Sequence, residues 1–182
     1  MKREQAKSRC ISKQNGFTLL ELMIVVVIMV IISVSVLPAM GNIRTMREGA
    51  ARDDLVRMIE VAKGRSVASG MPYGLEVNLS THVIRLVQVN SLGETEITYD
   101  PLTNGERTID LSIVYPGVTI LSMINGDGDS GSGTIWFDYE ATPHTRNDSG
   151  AFVSLNSESA TITLSSREQI IVYPYSGAME VQ

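Results

Sequence analysis

Glu21 is the only charged residue between Phe17 and Met40, in an apolar run that opens Gly16-Phe17-Thr18-Leu19-Leu20. An ionisable side chain at the centre of a membrane-spanning helix costs roughly 2.5–3.5 kcal/mol, so such a residue is a functional candidate by default. The chemistry open to Glu21 is electrostatic. A carboxylate there can neutralise a buried cation, or at the least favour the positive end of its own helix by about 0.3–1 kcal/mol.

Two other groupings invite a chemical reading. Gly128-Asp129-Ser130-Gly131 has the sequence found around the nucleophile of chymotrypsin-like proteases, but that chemistry needs an upstream base and an orienting aspartate. Upstream of Ser130 stands only His82, inside a strand-like run where it reads as a surface residue; His144 reads as a loop residue. The second grouping is Asn125, Asp127 and Asp129, three oxygen-bearing side chains at alternate positions, as calcium loops have them. An EF-hand would want glycine at Ser130 and glutamate at Trp136, so a hairpin tip is the favoured reading, with a non-EF calcium site left open. No Walker loop, Cys-x-x-Cys pair or histidine-rich metal spacing is present. The expectation is a protein that is not an enzyme and has no cofactor.

The elements that position Glu21 begin with a polar leader, residues 1–16, carrying Lys2, Arg3, Lys7, Arg9 and Lys13 against Glu4. Basic residues before an apolar segment mark its cytoplasmic side. An ordinary signal peptide has an apolar core of only about 7–15 residues, shorter than Leu22 to Leu37, and gives no reason for Glu21. An unprocessed signal anchor fits the length but not the joint presence of Gly16, Phe17 and Glu21. Removing the leader, five bases against one acid, turns the formal charge of −5 into −9 for residues 17–182. Lys63 is then the only lysine, so no basic patch recommends a nucleic-acid partner. The single cysteine, Cys10, lies in the leader, which leaves the remainder to fold by packing alone.

From about Asn42 to Ser69 the apolar run becomes an amphipathic pattern, with Ile43, Met46, Ala50, Leu55, Met58, Ile59 and Ala62 on the apolar stripe. Glu48–Arg52 and Asp53–Arg57 are spaced as i,i+4 ion pairs. Together the segments predict one helix of about fifty residues, roughly 80 Å long against a hydrocarbon layer of ~30 Å. Pro38 removes a helical hydrogen bond and Gly41 follows it, so a kink or melted turn is expected near residues 34–41. Ser69-Gly70-Met71-Pro72 ends the helix.

Beyond Pro72 short β-branched runs alternate with turn residues. Strands are expected at 73–79, 83–89, 94–99, 108–114, 118–123, 134–139, 151–155, 160–164 and 169–173, with loops at 125–133 and 140–150. The expected fold class is α+β: a long N-terminal helix packed on an antiparallel β-sheet or sandwich domain. The divisions are a leader (1–16), a transmembrane or core helix (17–41), an amphipathic half-helix (42–70) and a β-rich domain (71–182).

The order basic leader, Gly16, Phe17, Thr18, Leu19, Leu20, Glu21, apolar helix resembles the class III signal of type IV pilins and pseudopilins. Residues 62–70, then Tyr73-Gly74-Leu75-Glu76-Val77, Thr134-Ile135-Trp136-Phe137, 160–164 and 170–172 before Gly177 resemble the type II secretion pseudopilin H and FimT group. The resemblance implies cleavage by prepilin peptidase between Gly16 and Phe17, methylation of the Phe17 amine, and a kink at Pro38 that serves the filament. It also implies a single-pass protein of the bacterial inner membrane with its C-terminal domain in the periplasm. Implied partners are other pilin-like subunits, the peptidase and the inner-membrane assembly platform. The implied function is a minor pseudopilin at or near the tip of a type II secretion pseudopilus, the alternative being a minor type IV pilin in pilus assembly or DNA uptake. One departure bears on that alternative: members of the group commonly place arginine after the glycine near the C-terminus, where this chain has Gly177-Ala178-Met179-Glu180.

Overall fold

The structure, a computed structural model, describes residues 18–100, 104–126, 130–155 and 158–182, with the side chains of 34–42 outside that description. The chain divides between Gly41 and Asn42 into two compact units, although helix α1 runs from Leu19 to Ser69.

In the first unit the helical side chains from Leu19 to Ile32 are apolar apart from Glu21, and all are exposed. A helix apolar on every face belongs in a membrane or a protein core. Among the described residues no helix is long and apolar enough to cross a membrane, and the expected span 17–41 includes Phe17 and residues 34–41, which lie outside the described residues or side chains. The expected kink at Pro38 and Gly41 falls on that same stretch, where the backbone is assigned as helix.

The second unit is built on the rest of α1. Ala51, Leu55, Met58, Ile59 and Ala62 recur every three or four residues and are buried, with Ser66 completing the stripe. The Ser66 hydroxyl donates to the Ala62 carbonyl at 2.8 Å, which satisfies it inside the core. Ile43, Met46 and Ala50 are exposed, a correction to the expected stripe: after the buried Glu48, the buried apolar face begins at Ala51.

Among the described residues eleven strands and a short helix follow: β1 (Tyr73–Asn78), β2 (Val83–Val89), β3 (Thr95–Ile97), β4 (Thr108–Asp110), α2 (Leu111–Val114), β5 (Ile120–Asn125), β6 (Gly133–Phe137), β7 (Pro143–Arg146), β8 (Phe152–Ser154), β9 (Ala160–Leu164), β10 (Gln169–Val172) and β11 (Met179–Val181). They form two antiparallel sheets. One is ordered β3-β2-β1-β6-β7-β8, with β4 also on β2; the other is β11-β10-β9-β5. Leu75, Val77, Ile84, Leu86, Ile135 and Phe137 from the first sheet meet Ile120, Met123, Ile162, Leu164, Ile170 and Val172 from the second, and the α1 stripe closes the same core. Burying each such side chain contributes about 1.5–3 kcal/mol. The alternation is plainest in β9, where Ala160, Ile162 and Leu164 point in and the two threonines are half-buried.

Three expectations about the strands are corrected. Residues 108–114 do not form one strand, because Asp110, in extended geometry, accepts from the N–H groups of Ser112 at 2.9 Å and Ile113 at 3.3 Å and so caps α2. The expected loop 140–150 contains β7, whose inward Pro143 and Thr145 carry little apolar signal. Strand β11 was not expected at all; its pairing with β10 orders the C-terminus.

Candidate assembly site

The first turn of α1 organises Glu21. Thr18 precedes the helix and its carbonyl accepts from the Leu22 N–H at 3.2 Å, which makes Thr18 the N-cap. The Glu21 N–H donates to Thr18 Oγ1 at 3.2 Å, and in return Glu21 Oε2 accepts from the Thr18 N–H at 3.4 Å and hydroxyl at 3.5 Å. This is a capping box, with Glu21 at the third helical position. Among the described residues these bonds fall on Oε2, on a helix whose neighbouring apolar side chains are exposed. A negative group so held at the positive end of a helix can also receive a cation from outside. Thr18 was missed in the sequence reading, yet Thr18-x-x-Glu21 before an apolar run is a legible signal. Gly16 and Phe17 lie outside the described residues.

Among the described residues the remaining candidates do not come together in one site. Asn125 ends β5, Asp127 and Asp129 lie outside the described residues, and no group of potential ligands able to hold a metal occurs among those described. Ser130 forms a backbone bridge with Ile124. His82 is a correction: it sits in the turn between β1 and β2 at φ 55°, and its Nδ1 accepts from the Ile120 N–H at 3.3 Å. His144 is another, lying in β7 instead of a loop. Its Nδ1 is 2.9 Å from the Thr142 carbonyl and its Nε2 3.0 Å from Ser154 Oγ. Asp138 approaches at 3.9 Å but on Nε2, the nitrogen that also faces the serine, so the three do not form a relay.

The charged face of α1 differs from expectation. Neither Glu48–Arg52 nor Asp53–Arg57 forms. Glu48, only 8% exposed, takes Arg44 at 3.1 Å and the Ser165 hydroxyl at 3.4 Å. Arg52 instead pairs with Asp53 at 2.9 Å and reaches Glu168 at 3.5 Å on the loop before β10, because that loop packs beside it. Asp54 holds the Tyr115 hydroxyl, and this bond is the main reason the phenol is pushed up to about 12. At the C-terminus Glu180 accepts from the Tyr173 hydroxyl, which holds its carboxyl below the ordinary carboxylate value.

Residues 11–37 match the prokaryotic N-terminal methylation motif. A solved structure of the minor pseudopilin EpsH from the type 2 secretion system of Vibrio cholerae superposes with a TM-score of 0.52 at 9% identity, covering 74% of this chain and 94% of the solved chain. The chain has the fold of a minor pseudopilin. A second EpsH structure gives 0.50 at 9% identity over 73% of this chain and 93% of its own. No curated protein sequence matches the chain. This pseudopilin-like chain thus joins a methylation-motif helix to a helix-on-sheet domain, the α+β architecture expected from its residue pattern.

Proposed function

We propose that the chain is a minor pseudopilin, a structural subunit at or near the tip of a type II secretion pseudopilus, anchored in the inner membrane with its β domain in the periplasm. Prepilin peptidase cuts between Gly16 and Phe17 and methylates the new amine, and the methylated helix enters the filament core beside those of other subunits. Glu21 then meets the Phe17 amine of a neighbour, neutralising both charges in low dielectric. The protein has no catalytic role, no cofactor and no nucleic-acid partner. What carries this reading is the methylation motif at residues 11–37 in the same chain as an EpsH-like fold.

The test is coexpression with a prepilin peptidase, followed by intact mass and N-terminal sequencing of the membrane fraction. The expected product starts at methylated Phe17. A product starting at Asn42, or an uncut Met1 form beside active peptidase, would remove the reading. The DNA-uptake form of the pilus alternative finds no support in residues 177–180, where Glu180 on β11 stands in place of a basic tail.

A further inference from the structure

Strands β6 and β7 pair only through Trp136↔His144 and Phe137↔Pro143, although β6 begins at Gly133 and β7 runs on to Arg146. Beyond the last pair opens a cleft of about 540 Å³, lined by Thr134 and Trp136 of β6, Thr145 and Arg146 of β7, and Asn147 and Asp148 of the turn that follows. Its volume is that of a small-molecule site. Two of the lining side chains are almost wholly buried, Trp136 at 2% exposure and Thr145 at 5%. Among the described residues neither the indole N–H nor the Thr145 hydroxyl makes a hydrogen bond, and neither is sealed inside the protein as the hydroxyls of Thr98 and Thr108 are. Polar groups at such depth are costly when nothing bonds them.

The remaining groups select the class of ligand. Arg146 has each guanidinium nitrogen engaged: Nε donates to the Gly150 carbonyl at 3.0 Å, Nη1 to Thr95 Oγ1 at 2.9 Å and Nη2 to the Gly93 carbonyl. Asp148 has no partner among the described residues, so the cleft disfavours an anion. Asn147 accepts through Oδ1 from the Ser149 hydroxyl at 2.7 Å and the Ala151 N–H at 2.9 Å, which leaves its amide hydrogens to donate. An indole N–H only donates, a carboxylate only accepts and a threonine hydroxyl does both. A ligand that meets all of them carries closely spaced groups able to take either role, and no negative charge; the hydroxyls of a sugar ring have that chemistry. An extended peptide fits less well, because a mainly polar lining offers no pocket for its apolar side chains. We infer that the cleft between β6 and β7 is a binding site for a neutral sugar, with Trp136 Nε1 and Thr145 Oγ1 bonding its hydroxyls from the floor and Asp148 and Asn147 from the rim. The inference goes beyond the assembly role and does not depend on it.

Trp136 is the only tryptophan, so its fluorescence reports the site directly. The full chain, in a detergent without a sugar headgroup, is titrated with glucose, galactose, mannose and N-acetylglucosamine, each as monosaccharide and as disaccharide, and with a blocked Thr-Ser-Thr-Ser peptide. A saturable change with at least one sugar is expected. Thr145→Val and Asp148→Asn should each weaken that binding about tenfold, since each leaves a ligand hydroxyl without its partner. The unfolding midpoint of each variant is measured alongside, and Asp148→Asn, in an exposed turn, carries the test if Thr145→Val does not fold. No saturable response to any of the sugars overturns the inference. A response to the peptide alone also overturns it, by making the cleft a strand-docking site, and so does sugar binding that neither variant weakens, which would place the sugar elsewhere on the protein.

Discussion

Gly74 on β1 lies directly opposite Trp136 on β6, and a β-carbon at residue 74 would come within 2.9 Å of the indole and 2.8 Å of Thr134 Cγ2. The glycine makes room for the buried indole to lie across the neighbouring strand. Gly74→Ala should therefore lower stability by about 1–3 kcal/mol, the usual cost of overpacking a core. Thermal unfolding followed by Trp136 fluorescence measures it, and an unchanged midpoint would mean that the indole moves aside freely.

Glu21 has a local partner in Thr18 and a proposed external one in the neighbour's amine, and paired substitutions separate the two. Thr18→Ala removes the cap for about 1 kcal/mol and should leave assembly intact. Glu21→Ala leaves the incoming amine unpaired in low dielectric, a loss of about 3–5 kcal/mol for a buried pair. It should abolish incorporation into the filament while insertion and cleavage continue. Crosslinking and complementation in the parent system report both; equal phenotypes would assign Glu21 to its own helix alone.

The Tyr115–Asp54 bond gives stability an alkaline limit. The phenol is raised in the folded chain from 10.0 to about 12, so its contribution is complete below pH 10 and is lost as the pH climbs towards 12. Urea unfolding at about pH 8 and about pH 11 should show a larger loss for the wild type than for Tyr115→Phe. Parallel losses would place the alkaline sensitivity elsewhere.

Duplex DNA should not bind. Non-specific affinity comes mainly from neutralising phosphates with Lys and Arg, whereas residues 17–182 are formally −9 and the C-terminal strand carries Glu180. Gel-shift titration at physiological salt checks this, and salt-dependent micromolar binding would favour a DNA-uptake pilin.

Local and periodic features were legible without coordinates. The 3.6-residue spacing of Leu55, Met58, Ile59 and Ala62 and the alternation of β9 depend only on which side of one element is apolar, so the helix, its buried stripe and most strands could be read directly. Thr18-x-x-Glu21 was equally local.

Tertiary structure decided what depends on residues far apart in the chain. No pattern around Glu48 says that Ser165 will meet it, or that Glu168 will draw Arg52 from its i−4 partner; those choices follow from where the loop before β10 packs. Arg146 is the clearest case. From β7 it donates to Thr95 Oγ1 at 2.9 Å and to the Gly93 and Gly150 carbonyls, with its guanidinium 5.9 Å from the Trp136 ring and 5.6 Å from that of Phe152. A weakly apolar strand such as Pro143–Arg146 is specified by neighbours that supply its hydrogen bonds and packing, and sequence periodicity records only the faces an element presents, not the elements that come to cover them.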